Sequence, residues 1–309
     1  MELIRGLTNL REHHRGCVAT IGNFDGVHRG HQDILRQLTT EARERQLPAV
    51  VIIFEPHANE FFRGSDASPR LTRLREKIPL LAACGVDYVL LLPFNQQLAN
   101  VSAHDFVQDI LVQGLAVQHL LVGDDFHFGH DRQGDVAYLT QQGQACGFSV
   151  AQVSTITSQD ERISSTAIRM ALSVGDLARA EQLLGRPYGM HGRVAHGDKR
   201  GRIIGFPTAN IYLHRQVSPI LGVYAVKVYG LDPEPVYGVA NVGNRPTVDG
   251  SRTLLEIHLF EFDQTIYGHT LRVDFVHKLR DEKKYDSFDA LKAQIFKDAQ
   301  QARELFGLG

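Results

Sequence analysis

The apolar positions of this chain follow two different rhythms. In the first part, short apolar runs alternate with amphipathic stretches. Val18-Ala19-Thr20-Ile21 reads as a buried strand, and Ile34, Leu35, Leu38 and Ala42 then recur at helical spacing. Ala49-Val50-Val51-Ile52-Ile53-Phe54 is short enough for a strand buried on both faces. Residues 72–84 carry a helical pattern that Pro79 is expected to kink or split. Tyr88-Val89-Leu90-Leu91-Leu92 reads as a strand, Ser102 as the cap of a helix over Phe106, Ile110 and Leu111, and His119-Leu120-Leu121-Val122 and residues 148–153 as two more strands. Strands alternating with helices predict a right-handed α/β unit, a parallel sheet with helices on both faces, whose ligands sit beyond the carboxyl ends of the strands.

The rhythm changes after a short helix over 176–184, which Gly185-Arg186-Pro187-Tyr188 breaks. Short β-rich runs follow at 222–228, 236–242, 253–260 and 270–276, separated by turn residues, and predict an antiparallel barrel or sandwich. An amphipathic helix from about Ser287 closes the chain, with Phe288, Leu291, Ile295 and Ala302 on one face. The expected domains are therefore 1–184 and 185–309.

Composition narrows the picture without changing it. A length of 309 residues suits two domains, and 43% hydrophobic with 22% charged residues is ordinary for a globular protein. A net charge of −2 argues against broad binding to nucleic acid, and the one basic cluster, at 198–202, lacks interleaved aromatics. Cys17, Cys84 and Cys146 are odd in number and far apart, which suits buried thiols in a reducing compartment. The segment Met1-Glu2-Leu3-Ile4-Arg5 lacks a signal-peptide core and no apolar run is long enough to span a membrane, so the expectation is cytoplasmic, with no membrane and no obligate protein partner.

Four clusters carry candidate chemistry. Gly22-Asn23-Phe24-Asp25-Gly26-Val27-His28-Arg29-Gly30-His31 lies between a strand and a helix, where free N–H groups and the positive helix end suit a phosphate. The glycines permit close approach or positive φ, and His28 and His31 share a helical face. Read as a metal pair, the histidines lack a third ligand nearby; read as a turn, the glycines need no ligand. Gly123-Asp124-Asp125-Phe126-His127-Phe128-Gly129 follows a strand end and serves as a ligand loop or a solvated acidic turn. Ile163-Ser164-Ser165-Thr166-Ala167-Ile168-Arg169 opens a helix, either as a plain cap or as a phosphate cradle completed by Arg169. In the second half, His196-Gly197-Asp198-Lys199-Arg200-Gly201-Arg202 is an exposed hairpin or a flap over phosphates. It leads to Gly205-Phe206-Pro207-Thr208-Ala209-Asn210, in which Thr208 and Asn210 supply hard oxygens two residues apart, as Mg²⁺ with phosphate needs, or a turn bonded to its own backbone. Glu256, on its own residues, is one carboxylate on a strand.

The HxGH spacing resembles that of the nucleotidyltransferase superfamily. GNFDGVHRGH, FEPH, GDDFHFG with its trailing Arg-x-Gly, and ISSTAIR, in that order, resemble the flavin-adenylylating half of bacterial bifunctional riboflavin kinase/FAD synthetases. The resemblance implies that Gly22, Asn23, Phe24, His28, Gly30 and His31 contact ATP. It adds Ser164, Ser165, Thr166 and Arg169 to the nucleotide pocket, and puts His57, Asp125 and Phe126 on the flavin side. Ala58 and His127 depart from the pattern, which has Pro and Arg there; the latter puts one positive contact in doubt. GRPY, GDKRGRIIGFPTAN, GVY, ANVGNRPT, LEIH and LRDEKKY resemble the riboflavin kinase module over most of 185–290. That implies a six-stranded barrel with ATP held by Gly197, Lys199, Gly201, Gly205 and Pro207, Mg²⁺ by Thr208 and Asn210, and Glu256 as base. The implied activity converts riboflavin and ATP to FMN, then FMN and a second ATP to FAD and pyrophosphate. A barrel acting only as a flavin sensor, or a nucleotidyltransferase for another small phosphate ester, are the alternatives.

Overall fold

The structure, a computed structural model, describes residues 1–153, 157–158, 161–196, 206–215, 217–247 and 250–308. Two compact units emerge from the contacts: Met1–Ser68 with Thr72–Ser164, and Pro69–Leu71 with Ser165–Gly309.

The first unit runs β1 (Glu2–Arg5), β2 (Val18–Ile21), α1 (Arg29–Arg45), β3 (Ala49–Glu55), α2 (Ala58–Arg63), α3 (Leu74–Ala83) and β4 (Tyr88–Pro93). It continues with α4 (Gln96–Ala99), α5 (Ala103–Asp105) leading into a wide helical stretch Phe106–Gly114, β5 (His119–Gly123), α6 (Val136–Cys146), β6 (Ser149–Val153) and a small ribbon of β7 (Thr157–Ser158) and β8 (Glu161–Arg162). Six parallel strands lie in the order β1-β4-β3-β2-β5-β6. Along β3, Val50 and Ile52 enter the cluster on one face while Val51 and Ile53 enter the cluster on the other. Burial on both faces, contributing about 1.5–3 kcal/mol per large aliphatic side chain, explains why that run has no polar interruption. Because β2 pairs with β3 on one side and β5 on the other, strand order reverses there, opening a crevice beyond their carboxyl ends.

Three details depart from the pattern reading or refine it. β1 is a sixth strand with too few apolar residues to announce itself, paired to β4 at the sheet edge. α3 runs through Pro79 as one helix: the lost N–H removes one bond, while Lys77 and Leu81 on its buried face hold both halves. Ser102 caps α5, its Oγ accepting from Asp105 N at 3.0 Å.

The second unit holds α7 (Ser165–Val174), α8 (Leu177–Leu184), six strands and α9 (Phe288–Leu305). The strands are β9 (Gly189–Ala195), β10 (Ala209–Tyr212), β11 (Gly222–Tyr229), β12 (Val236–Thr247), β13 (Gly250–Leu259) and β14 (Thr270–Arg280). They close into an antiparallel barrel in the order β10-β13-β12-β11-β14-β9. Directly paired residues share a face, so Tyr224, Ala240, Ile257 and Ala209 form one buried row across four strands. On the opposite face Val223, Ala225 and Val239 pack with Ala299 and Ala302 of α9. The helix buries its later turns, anchored by Arg280, whose guanidinium makes a bidentate pair with Asp298. Phe288, expected on the buried face, is 56% exposed, because contact with the barrel wall begins further along.

The unit border falls between Ser164 and Ser165, twenty residues before the change in strand rhythm at 184/185. Helices α7 and α8 go with the second unit because they bury their apolar faces there, α8 beside β14. Pro69–Leu71 joins them through three successive carbonyls. Pro69 O accepts from Arg169 Nε (2.7 Å), Arg70 O from Arg215 Nη1 (2.5 Å) and Leu71 O from the Tyr188 hydroxyl (3.3 Å).

Candidate active sites

In the first unit the chain leaves β2 through a tight turn before entering α1. Gly26 takes φ of 85°, but Phe24 (46°) and Val27 (41°) also adopt the left-handed region that disfavours them. Both side chains are almost fully buried, and that burial offsets a backbone strain of about 1–3 kcal/mol each. A buried relay fixes the turn: Asp25 Oδ1 accepts from Thr72 N at 3.0 Å, and Thr72 Oγ1 accepts from Gly26 N at 2.8 Å.

The two histidines meet at the start of α1. His28 is the N-cap, its Nδ1 accepting from His31 N at 3.3 Å, so its proton sits on Nε2. The rings stack at 3.6 Å with 16° between planes. Gly30 allows this: a Cβ there would lie 3.2 Å from His28 Nδ1. Desolvation, then repulsion from His28 and Lys77, holds the His31 imidazole well below its usual range, and it is neutral at pH 7. Its buried Nδ1 has no hydrogen-bond partner among the described residues. The result is a helix N-terminus with two imidazoles, one of which points a fixed N–H.

Gly22, Asn23, Phe24, His28, Gly30 and His31 thus belong to one structural feature at the end of β2. Asp125 and Phe126 lie in the loop after the neighbouring strand β5. Asp125 pairs with Arg162 Nη2 at 2.7 Å, and Phe126 stacks on Phe128 at 5.6 Å. His127, standing where the family pattern has Arg, turns its Nδ1–H back to Asp125 O at 3.0 Å. Among the described residues, Arg162 is a fixed cation beside Asp124 and Asp125. His57 follows β3 at the N-cap position of α2, with no side-chain cap bond, 6% exposed, and with Lys77 Nζ at 3.1 Å from its Nε2. Asp25, Thr72 and Lys77 look like ordinary surface residues in the sequence until the fold buries them, and Arg162, still exposed, gains its carboxylate partners only from the fold.

Ser164 is the last residue of the first unit, and Ser165, Thr166 and Arg169 fall in the second, on the opening turns of α7. Arg169 spends its Nε on Pro69 O.

In the barrel, register does what spacing could not. Asn210 pairs with Glu256, and Glu256 with Asn241, so three polar side chains from β10, β13 and β12 lie in a row on one face. Asn210 is buried, and its Nδ2 lies 3.4 Å from Thr208 O. His258, two residues beyond Glu256, donates its Nδ1–H to Pro207 O at 3.0 Å and lies against Phe206. Burial pushes its pKa down, so it stays neutral and acts as a brace for the PTAN segment. A cavity of about 470 Å³, the size of a small-ligand site, opens beside Pro207 and Thr208 against the loop 262–267. Alternation puts its wall residues Ala209 and Ile257 on the face of the strands opposite Asn210 and Glu256. Gly197, Lys199, Gly201 and Gly205 lie outside the described residues.

One further cluster has metal-ligand types, Glu2, His13 and His14. His14 Nδ1 accepts from Arg11 N at 3.0 Å, which puts the ring proton on Nε2, facing the Glu2 carboxylate at 3.4 Å. An N–H cannot ligate, so this is a close contact of a carboxylate with imidazole rings and not a ligand set, and the His14 Nε2 has no well-formed hydrogen-bond partner among the described residues.

Comparison with known proteins accounts for both halves. The FAD synthetase family model matches residues 10–167 and the riboflavin kinase family model residues 184–306. The bifunctional riboflavin kinase/FMN adenylyltransferase of Escherichia coli K12 is 52% identical over 100% of this chain and 99% of its own length. Its Haemophilus influenzae counterpart is 51% identical over 99% of both chains. A solved Streptococcus pneumoniae structure, described as a macrolide-efflux protein, is 31% identical, with a TM-score of 0.82 over 98% of this chain and 99% of that one. Among the described residues, no helix of the present chain is long and apolar enough to cross a membrane. With both family models and full-length relatives in agreement, the chain belongs to the bifunctional riboflavin kinase/FMN adenylyltransferase family.

Proposed function

We propose that the barrel phosphorylates riboflavin with ATP to FMN, and that the first unit adenylylates FMN with a second ATP to FAD and pyrophosphate, in the cytoplasm. The observation that carries the second step is the helix N-terminus topped by stacked imidazoles at the sheet's switch point. Backbone N–H groups of the turn, the His28 Nε2–H and Ser164, Ser165, Thr166 and Arg169 would hold the triphosphate. They would also offset charge that grows on the α-phosphate as the FMN phosphate attacks and pyrophosphate leaves. His57, Asp125 and Phe126 would face the flavin.

For the first step, the row Asn210–Glu256–Asn241 is the supporting observation. Glu256 would take the proton of the ribityl terminal hydroxyl as that oxygen attacks the γ-phosphate. The donor set of Thr208 and Asn210 fits a hard cation: both offer neutral oxygens, and the Asn210 amide, held through Nδ2, presents Oδ1. Mg²⁺ bound there would neutralise phosphate charge. Gly197, Lys199, Gly201, Gly205 and Pro207 would cover the ATP.

The test is a time course of the purified chain with riboflavin, ATP and Mg²⁺, with flavins separated by chromatography. FMN rising first and FAD following is expected, with neither formed when chelator replaces Mg²⁺. FAD from supplied FMN, with none from riboflavin, would favour the barrel as a sensor. No flavin product at all would refute the assignment.

A further inference from the structure

Lys77, like its neighbour Glu76, is a buried charged residue of α3, and it is only 1% exposed. Its Nζ lies 2.5 Å from Asn23 O, in the turn before α1, and 3.1 Å from His57 Nε2, at the end of β3. One buried ammonium therefore touches both the phosphate-side turn and the flavin-side imidazole. We infer that Lys77 is a positioning residue of the adenylylating site, which holds the Asn23 carbonyl and fixes the tautomer of His57. This rests on the reading of that crevice as the FMN adenylyltransferase site.

The chemistry follows from donor and acceptor capacity. An ammonium has three donors and no acceptor, so His57 Nε2 must present its lone pair. His57 is then neutral, with its proton on Nδ1, and its ring plane is set by the lysine. A carbonyl only accepts, so Asn23 O is drawn towards α3. That orients the peptide between Asn23 and Phe24, the residue whose positive φ starts the turn. Lys77 also faces the His31 imidazole closely enough to oppose its protonation. Burying an ammonium is costly even when it is hydrogen-bonded, and an aliphatic residue of the same length would fill the space without that cost. The position thus has more to do than fill a core.

The experiment compares the full-length wild type with Lys77→Met and Lys77→Gln. Both reactions are assayed, riboflavin to FMN and supplied FMN to FAD, and ¹⁵N NMR of histidine-labelled protein reads the His57 tautomer. Wild type is expected to show the proton on Nδ1 of His57. Lys77→Met is expected to lower kcat for FAD formation about 10–100-fold, as loss of a residue supporting a site typically does, with KM for ATP changed little and the kinase rate unchanged. Lys77→Gln, which keeps a donor, is expected to recover part of the loss. In a His57→Gln background, Lys77→Met should cost less than it does alone. Unchanged FAD formation in Lys77→Met, a proton on Nε2 of His57 in the wild type, or full additivity with His57→Gln would each overturn the inference. If Lys77→Met does not fold, Lys77→Gln decides by the same kcat and tautomer readings. A wild type that makes no FAD from FMN would instead refute the reading of the site.

Discussion

The two nucleotide-handling regions of this molecule are assembled in opposite ways. The proposed adenylylating site takes six of its groups from one stretch, residues 22–31, in which a strand end, a turn and a helix start follow directly. The proposed kinase wall takes Asn210, Asn241 and Glu256 from three strands, and only antiparallel register puts them side by side. A helix terminus is a local device: its N–H groups and dipole exist wherever a helix begins. A row across a sheet is a non-local one, because its members meet only after the barrel closes. The first kind of site is therefore sensitive to substitutions within a few residues, and the second to anything that shifts a strand or the helix leaning on it.

The sharpest way to separate the regions is to disable one. Glu256→Gln should lower riboflavin phosphorylation by ~10²–10⁴-fold, the range for loss of a positioned base, with FAD formation from supplied FMN intact. Steady-state assays of each reaction check this. In the other direction, His28→Asn removes the fixed Nε2–H at the helix start and should lower FAD formation by ~10²–10³-fold, leaving the kinase rate alone. Equal loss of both activities in either variant would mean that the regions are not chemically separate.

Structural dependence should also divide. Asp298→Ala leaves Arg280 without its bidentate partner on the helix that backs the kinase wall. It should cost the second unit about 3 kcal/mol, given that Arg280 keeps some access to water. Denaturant unfolding followed by hydrogen exchange should place the loss in the barrel and spare the first unit. The smallest expected effect is a pH dependence, to which His31 contributes in the first unit and the likewise depressed His258 in the second. His31 is depressed when folded and ordinary when unfolded, so below about pH 6.5 the unfolded chain binds more protons. Stability of the first unit should fall as pH drops through this range, by ~1.4 kcal/mol per pH unit at most. His31→Gln should flatten that part of the curve.

The sequence by itself determined the local features. Uninterrupted apolar runs meant strands buried on both faces, and β3 has a cluster on each side. Two histidines three apart at a helix start meant rings on one helical face, and they stack there. The turn residues after 185 meant a change to antiparallel strands, and a closed barrel follows. Tertiary structure decided what periodicity does not encode. It put α7 and α8 with the barrel, since a helix joins whichever surface covers its apolar face. It sent Lys77 inward, because a lysine on an amphipathic helix reads as solvated until a carbonyl and an imidazole are brought to its ammonium. It set His31 neutral and left Phe288 exposed, since burial is a property of neighbours and not of spacing. It also chose Asn241 as companion to Glu256, a pairing 15 positions apart in the chain that register alone creates.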